Sequence, residues 1–266
     1  IALCHVAIHA AQYVYSKRIS AANPSRAGPN RVVSGGKRWY NWVQGEAGKR
    51  RGERGMAAAK RIDLAGYARR EHYRYFRDMA YPYVGTTVNV DITGFLKAVK
   101  AQGLPFFLSF LYQAVGAANQ IPALRQRMDA QGIIEFDRCP SSHTVAREDG
   151  TYVYCNLDCG MPFSQFLPYA QEEQRRAREG GSIQEEEAQA FFFVSTLPWV
   201  TYTSLIQPTP FPADSNPRLT WGKYFDQGDR TLMPVSLLCH HALADGLHLA
   251  QFYRALEERL EGFGQG

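Results

Sequence analysis

The sequence predicts a single mixed α/β domain over residues 56–266, and three observations predict it. Segments whose apolar residues recur at helical spacing are interleaved with segments that alternate apolar and polar residues, and the connections between them are short. The composition, 45% hydrophobic and 21% charged with 23 Gly and 14 Pro in 266 residues, suits a folded chain and excludes collagen-like and low-complexity classes. No internal repeat is visible, and the elements are too few for two independent cores.

Taken in order, residues Ile62 to Met79 set Leu64, Tyr67, Tyr73 and Phe76 among Arg and Glu, the pattern of an amphipathic helix. Thr86 to Ile92 alternates around Val88 and Val90 and reads as a strand. Thr93 to Ala101 and Phe106 to Ala118 read as helices separated by Gly103-Leu-Pro105. Ile133 to Phe136, Thr144 to Arg147 and Tyr152 to Asn156 read as strands, the last two joined at Glu148-Asp-Gly150. Phe163 to Glu179 is a polar helix, and Gly180 to Gln189 is acidic, a solvated continuation or a loop. Phe191 to Ser195 is a strand, and the four prolines between Gln207 and Pro217 make that stretch a surface loop. Arg218 to Tyr224 and Thr231 to His240 are strands. Pro234 argues for an edge or a bulge in the second, whose Met233, Val235, Leu237 and Cys239 share a face. Leu249, Phe252, Tyr253, Leu256 and Leu260 line one side of a closing helix that Gly262 ends.

No stretch approaches 18 consecutive apolar residues, which rules out a membrane-spanning helix. Ile1 to Ala11 is apolar but is interrupted by His5 and His9, and lacks a cationic leader or small-residue cleavage site. Five cysteines at irregular spacing read as free thiols in a reducing compartment, so a cytoplasmic protein is expected. Cys155 and Cys159 form a lone C-x3-C, read as two half-buried strand cysteines, and no metal is expected.

The formal charge of +5 is uneven: residues 1–55 hold ten Lys and Arg against two Glu, and the remainder is slightly acidic. The front segment lacks periodicity and reads as a basic, disordered or non-native piece, with phosphate-mediated nucleic-acid binding the lesser reading. Met56 follows Gly45 to Gly55, whose codons can be almost wholly purine, as in a bacterial ribosome-binding site. Translation is therefore expected to begin at Met56, and an intact mass that includes 1–55 would overturn this.

Between the last strand and the last helix stands His240-His-Ala-Leu-Ala-Asp-Gly-Leu-His248. A strand that delivers an imidazole to the edge of a cleft holds a base rigidly, and imidazole suits proton transfer near neutral pH. Asp245 can fold back into the turn and Gly246 can supply unusual backbone angles. Alone, this pattern also describes a core histidine beside an ordinary turn.

Further motifs accompany it in one order: Arg69-Arg-Glu-His-Tyr73, Val90-Asp-Ile-Thr93, Leu124-Arg125, Phe193-Val-Ser-Thr-Leu-Pro-Trp-Val200, Thr220 with Lys223-Tyr224, and Gln227-Gly-Asp-Arg230. Over nearly all of 56–266 the chain resembles the chloramphenicol acetyltransferase family. The resemblance implies an α/β two-layer sandwich, with a mostly antiparallel sheet flanked by helices, and a homotrimer whose active sites lie at subunit interfaces. It also implies acetyl transfer from acetyl-CoA to a small hydroxyl acceptor, most simply chloramphenicol, in a ternary complex without an acetyl-enzyme.

By the same resemblance His241 is the general base, Ser195 steadies the oxyanion, and Thr220 holds a water near it. Asp245 pairs with Arg69 to fix the base's loop. Trp199 and Tyr224 contact coenzyme A, and Lys223 approaches its phosphates. His72, His143, His240 and His248 are packing or surface histidines. The acceptor shell departs from the family pattern. Phe76 stands where a tyrosine is common, with Tyr75 adjacent, Thr144-Val-Ala-Arg147 replaces Thr-Val-Phe-His, and a pocket phenylalanine is replaced by Val153 or a neighbouring tyrosine. These departures leave another alcohol, or a non-catalytic trimer, as alternatives. Dihydrolipoyl acyltransferase cores and peptide-synthetase condensation domains share the H-x3-D-G logic, but the first bring Asp-His-Arg and the second two domains in tandem.

Overall fold

The computed structural model describes residues 58–180 and 188–264. In chain order its elements are β1 (Ala59–Arg61), α1 (Arg70–Phe76), β2 (Tyr83–Asp91), α2 (Thr93–Ala101), α3 (Phe106–Gln120), α4 (Pro122–Arg125), β3 (Gln126–Asp129) and β4 (Gly132–Phe136). They continue with β5 (Ser141–Ala146), β6 (Tyr152–Leu157), α5 (Phe163–Gly180), a 3-10 turn (Ala188–Ala190), β7 (Phe192–Leu197), β8 (Arg218–Gly222), β9 (Phe225–Gln227), β10 (Arg230–His240) and α6 (Gly246–Glu261). The expected front segment, 1–55, and the acidic residues 181–187 lie outside the described residues.

The main sheet runs β2-β10-β8-β7-β5-β6, with β9 beside β10, and a small sheet is ordered β1-β4-β3. Only β5–β7 and β7–β8 are parallel, so the main sheet is mostly antiparallel, as expected. One face carries Val145, Val153, Val194, Leu219, Val235 and Leu237, which pack with α3, α5 and α6 into the core. Along β10 the expected face holds, since Met233, Val235, Leu237 and Cys239 are all buried. Helix α3 lies between sheet and helices, which explains why Leu108, Phe110, Leu111, Ala114 and Val115 leave it no polar stripe.

The Val90-Asp-Ile-Thr93 motif ends β2 and starts α2. Asp91 Oδ1 accepts from Thr93 N (2.9 Å) and Oγ1 (2.6 Å), and Thr93 Oγ1 accepts from Thr231 N at 2.8 Å, which ties the turn to β10. Gln227-Gly-Asp-Arg230 is the β9–β10 turn, with Gly228 at φ 64°.

Pro234 lies in a central strand rather than at an edge, and the bulge beside it belongs to the opposite strand. Leu232 faces Phe225 and Val235 faces Trp221, so two residues of β10 span Gly222, Lys223 and Tyr224 opposite. The proline's missing N–H falls where the ladder is already interrupted. Gly222 is required there, because a Cβ would meet Tyr202, Pro234 and the Val200 carbonyl within 3 Å. The strand read over Arg218 to Tyr224 accordingly stops at Gly222.

One expectation needs correction here, and one strand had gone unread. The helix read over Ile62–Met79 is confined to Arg70–Phe76. Asp63 Oδ1 caps the Ala65 amide in a turn, and Ile62, Leu64 and Tyr67 instead pack on a second cluster formed by Tyr73, Ile133, Ala242 and Leu243. Strand β3 had no pattern to announce it, because Arg127 sits at its centre. That guanidinium is fully buried and is satisfied by the carbonyls of Leu124, Gln126, Gln189 and Phe191.

Candidate active site

Just past the end of β10, the His241 amide donates to Pro82 O at 2.7 Å, and the chain then turns through 242–244 into α6. The half-buried imidazole places Nδ1 3.0 Å from Ala244 O. A carbonyl can only accept, so Nδ1 donates its proton there. The ring lies flat on Phe76, with centroids 4.0 Å apart and planes 17° from parallel. The turn thus holds the ring in one orientation, with Nδ1 committed to the backbone.

The turn itself is anchored by Asp245 and Arg69. Asp245 caps α6, accepting from Leu247 N at 3.0 Å, and its other oxygen pairs with Arg69 Nη1. Arg69 Nη2 also donates to His241 O at 3.3 Å, so one guanidinium holds both ends of the turn. Burial works against the Asp245 carboxylate, but hydrogen bonds from Arg69 and His248, with their charges, hold its pKa down at about 2. His248, read as a packing histidine, lies 2.8 Å from Asp245 Oδ1 through Nδ1.

Ser195 and Thr220 are elsewhere. They pair across β7 and β8, and Thr220 pairs with Ser236 on β10, which in turn lies opposite Thr87 on β2. A row of hydroxyls therefore crosses the face of the sheet that the helices leave free. Ser236 and Thr87 bond each other at 2.7 Å, and Tyr202 OH donates to Thr220 O at 3.1 Å. Thr220 Oγ1 donates to Gln207 Oε1 at 3.1 Å, whereas the buried Ser195 Oγ has no protein partner. Ser195 opens on a recess lined also by Ser142, Thr144, Tyr154, Gln207 and Arg218. Sequence reasoning missed Gln207, because nothing marks one amide at the head of a proline-rich loop.

Of the two readings for the pocket phenylalanine, Val153 or a neighbouring tyrosine, only Tyr154 lines the recess. Val153 is 1% exposed in the core, and the pleat turns its neighbour to the recess. Phe76 touches the imidazole, while Tyr75 is exposed and meets Phe76 edge-on at 4.9 Å. Trp199, Lys223 and Tyr224 gather at the far end of β7 and β8. Lys223 N donates to Val200 O, Trp199 is 71% exposed, and Tyr224 leans on Phe106 at 5.8 Å.

Within one chain these groups do not meet. Ser195 is two strands from β10 and level with Ser236, five residues before His241, a separation of about 19 Å by strand geometry. Trp199, Lys223 and Tyr224 lie further still, since β10 is antiparallel to β8.

The remaining candidates carry no chemistry of this kind. Burial pushes the His143 pKa down to about 3 and that of His240 down to about 4, so both are neutral packing groups, while His72 is exposed. Cys155 is buried on β6 with its thiol pushed up to about 12 by burial, and Cys159 follows in a loop rather than a strand. Among the described residues no cluster of His, Cys, Asp and Glu could hold a metal ion. No described helix is long and apolar enough to cross a membrane.

A family model described as chloramphenicol acetyltransferase matches residues 57–257. The chain belongs to the chloramphenicol acetyltransferase family. It is 30% identical over 201 residues to chloramphenicol acetyltransferases of Klebsiella sp and Escherichia coli, covering 74% of this chain and 91% of each relative. A solved chloramphenicol acetyltransferase superposes with a TM-score of 0.65 at 25% identity, over 76% of this chain and all of that one. The dihydrolipoamide acetyltransferase of Azotobacter vinelandii, at 20% identity and a TM-score of 0.54 over 71% of this chain and 84% of that one, shares the fold. As a member of the chloramphenicol acetyltransferase family the chain is an acyltransferase. The matched span contains both the His241 turn and the Ser195 recess.

Proposed function

We propose that this enzyme is an acetyl-CoA-dependent O-acetyltransferase acting on a small hydroxyl acceptor, with chloramphenicol the first candidate and antibiotic resistance the outcome. The observation that carries the reading is the His241 ring, whose Nδ1–H is committed to Ala244 O so that Nε2 is free to accept a proton. Its support is built for permanence: Phe76 stacks on it, and Arg69 and Asp245 clamp its turn.

In the step proposed, His241 Nε2 takes the acceptor's hydroxyl proton as that oxygen forms a bond to the thioester carbonyl carbon. The carbonyl electron pair moves onto its oxygen, to which Ser195 Oγ–H donates. Collapse restores the carbonyl and breaks the C–S bond, and His241 returns its proton to the departing thiolate. The products are an acetyl ester and free coenzyme A. Trp199, Tyr224 and Lys223 supply two exposed aromatic rings and a cation just past the ends of β7 and β8, groups that suit an adenine and phosphates. Because His241 is about 19 Å from Ser195, the site is shared between copies, and a homotrimer places His241 of one chain against the recess of the next. The described cysteines are free thiols, which suits a cytoplasmic enzyme.

Thiol release from acetyl-CoA in the presence of chloramphenicol, measured on the full chain and on His241→Ala, tests the reading. Turnover that disappears in the variant supports it. Turnover with other alcohols alone keeps the chemistry and replaces the acceptor, and unchanged turnover in the variant removes His241 as the base.

A further inference from the structure

We infer that Gln207 is a further catalytic residue, a second hydrogen-bond donor beside Ser195 to the oxygen that becomes negative during acetyl transfer. The inference rests on the acetyltransferase reading above. Thr220 is 0% exposed, and its hydroxyl proton has Gln207 Oε1 as its acceptor at 3.1 Å. In this arrangement Oε1 is committed to Thr220, and among the described residues no protein group accepts from Nε2.

Gln207 and Ser195 line the same recess, and the strand pairing sets Ser195 directly beside Thr220, about 5 Å away. Ser195 Oγ is buried and has no protein partner, so the one recess is lined by two groups with donor protons left over. Two such donors side by side are what a developing oxyanion requires. The hydrogen bond accepted at Oε1 also polarises the amide and strengthens Nε2–H as a donor.

The loop is held so that this geometry costs little at the moment of reaction. Tyr202 OH donates to Thr220 O before Gln207, prolines 208, 210 and 212 restrict the backbone after it, and Asp214 makes a two-pronged pair with Arg218 at 2.8 and 2.7 Å at the loop's end. Thr220 is thereby a positioning residue that acts through Gln207.

The test compares Gln207→Met, similar in length with neither donor nor acceptor, and Gln207→Glu, which keeps the acceptor for Thr220 and loses the donor, with the wild-type full chain. Thiol release is read with the acceptor that the wild type turns over. Each variant should lose about 10²-fold in kcat with both KM values within about threefold, as expected for a contact made in the transition state. Melting followed by circular dichroism should leave Gln207→Glu like the wild type, which separates chemistry from folding. If the wild type is active through His241 and Gln207→Glu keeps kcat within about threefold, the inference fails while the acetyltransferase reading stands. A loss confined to the acceptor KM also overturns it. No turnover of any alcohol by the wild type removes the acetyltransferase reading and this inference together.

Discussion

Mixing the His241→Ala and Ser195→Ala variants tests whether one chain can hold a complete site. Two strand spacings separate Ser195 from β10, about 10 Å, and five residues at about 3.3 Å each separate Ser236 from His241, so the two groups stand about 19 Å apart. An imidazole and a hydroxymethyl group cannot both reach one reacting carbon over that distance. If each site takes His241 from one copy and Ser195 from the next, every variant alone is disabled at all of its sites, by about 10²-fold or more. After random reassembly of an equal mixture, a site is intact when it draws His241 from a Ser195→Ala chain and Ser195 from a His241→Ala chain. Each choice has an even chance, so about a quarter of wild-type activity should return. The assay is thiol release after the two variants are unfolded together in urea and refolded by dilution, beside each variant refolded alone. A mixture no more active than the mean of its parents would refute the shared site.

Two further outcomes follow from the charges. Asp245→Asn removes the carboxylate that Arg69 grips and should lower kcat through the geometry of the His241 turn. The expected loss of stability in urea unfolding is about 1–2 kcal/mol, below the usual value for a sealed pair because Asp245 is partly open to solvent. A variant with wild-type kcat would show that the clamp does not position the base. The Asp245 pKa is lowered on folding, so its stabilisation is present above the unfolded value near 3.8 and is lost as pH falls from about 4 through about 2. His143, held at about 3 by burial and the Arg178 charge, is neutral in the fold, whereas the unfolded chain binds that proton near pH 6.5. Stability should therefore be full at pH 7 and fall as pH drops from about 6.5 toward 3, by up to about 1.4 kcal/mol per pH unit for this group. His143→Gln should flatten the fall in urea midpoint between pH 6 and 4.5, and an unchanged slope would contradict the buried neutral ring.

Much of the fold was legible because period and punctuation act locally. Thr93–Ala101 follows from its apolar spacing and the Asp91 turn, and β10 was read with its buried face correct despite Pro234. The Ile62–Met79 helix failed because Leu64 and Tyr67 find their apolar partners in the small second cluster rather than along a helix face. Strand β3 was illegible because its central side chain is a buried cation, satisfied by carbonyls far away in sequence. At the site, motif order named His241, Asp245, Arg69, Ser195 and Thr220 and left Val153 or a neighbouring tyrosine for the pocket. The pleat turned Val153 inward and Tyr154 outward, because the register of β5 against β6 sets which residue faces which side.

The sequence by itself determined the alternating elements, the motif order that includes the His241 turn and the family, since these depend on residue types at short spacing. Only the tertiary structure decided that Nδ1 of His241 is spoken for and that Gln207 meets Thr220. It alone showed that His241 and Ser195 stand about 19 Å apart within one chain. Those facts depend on contacts between segments distant along the chain and on strand direction, which no local pattern encodes.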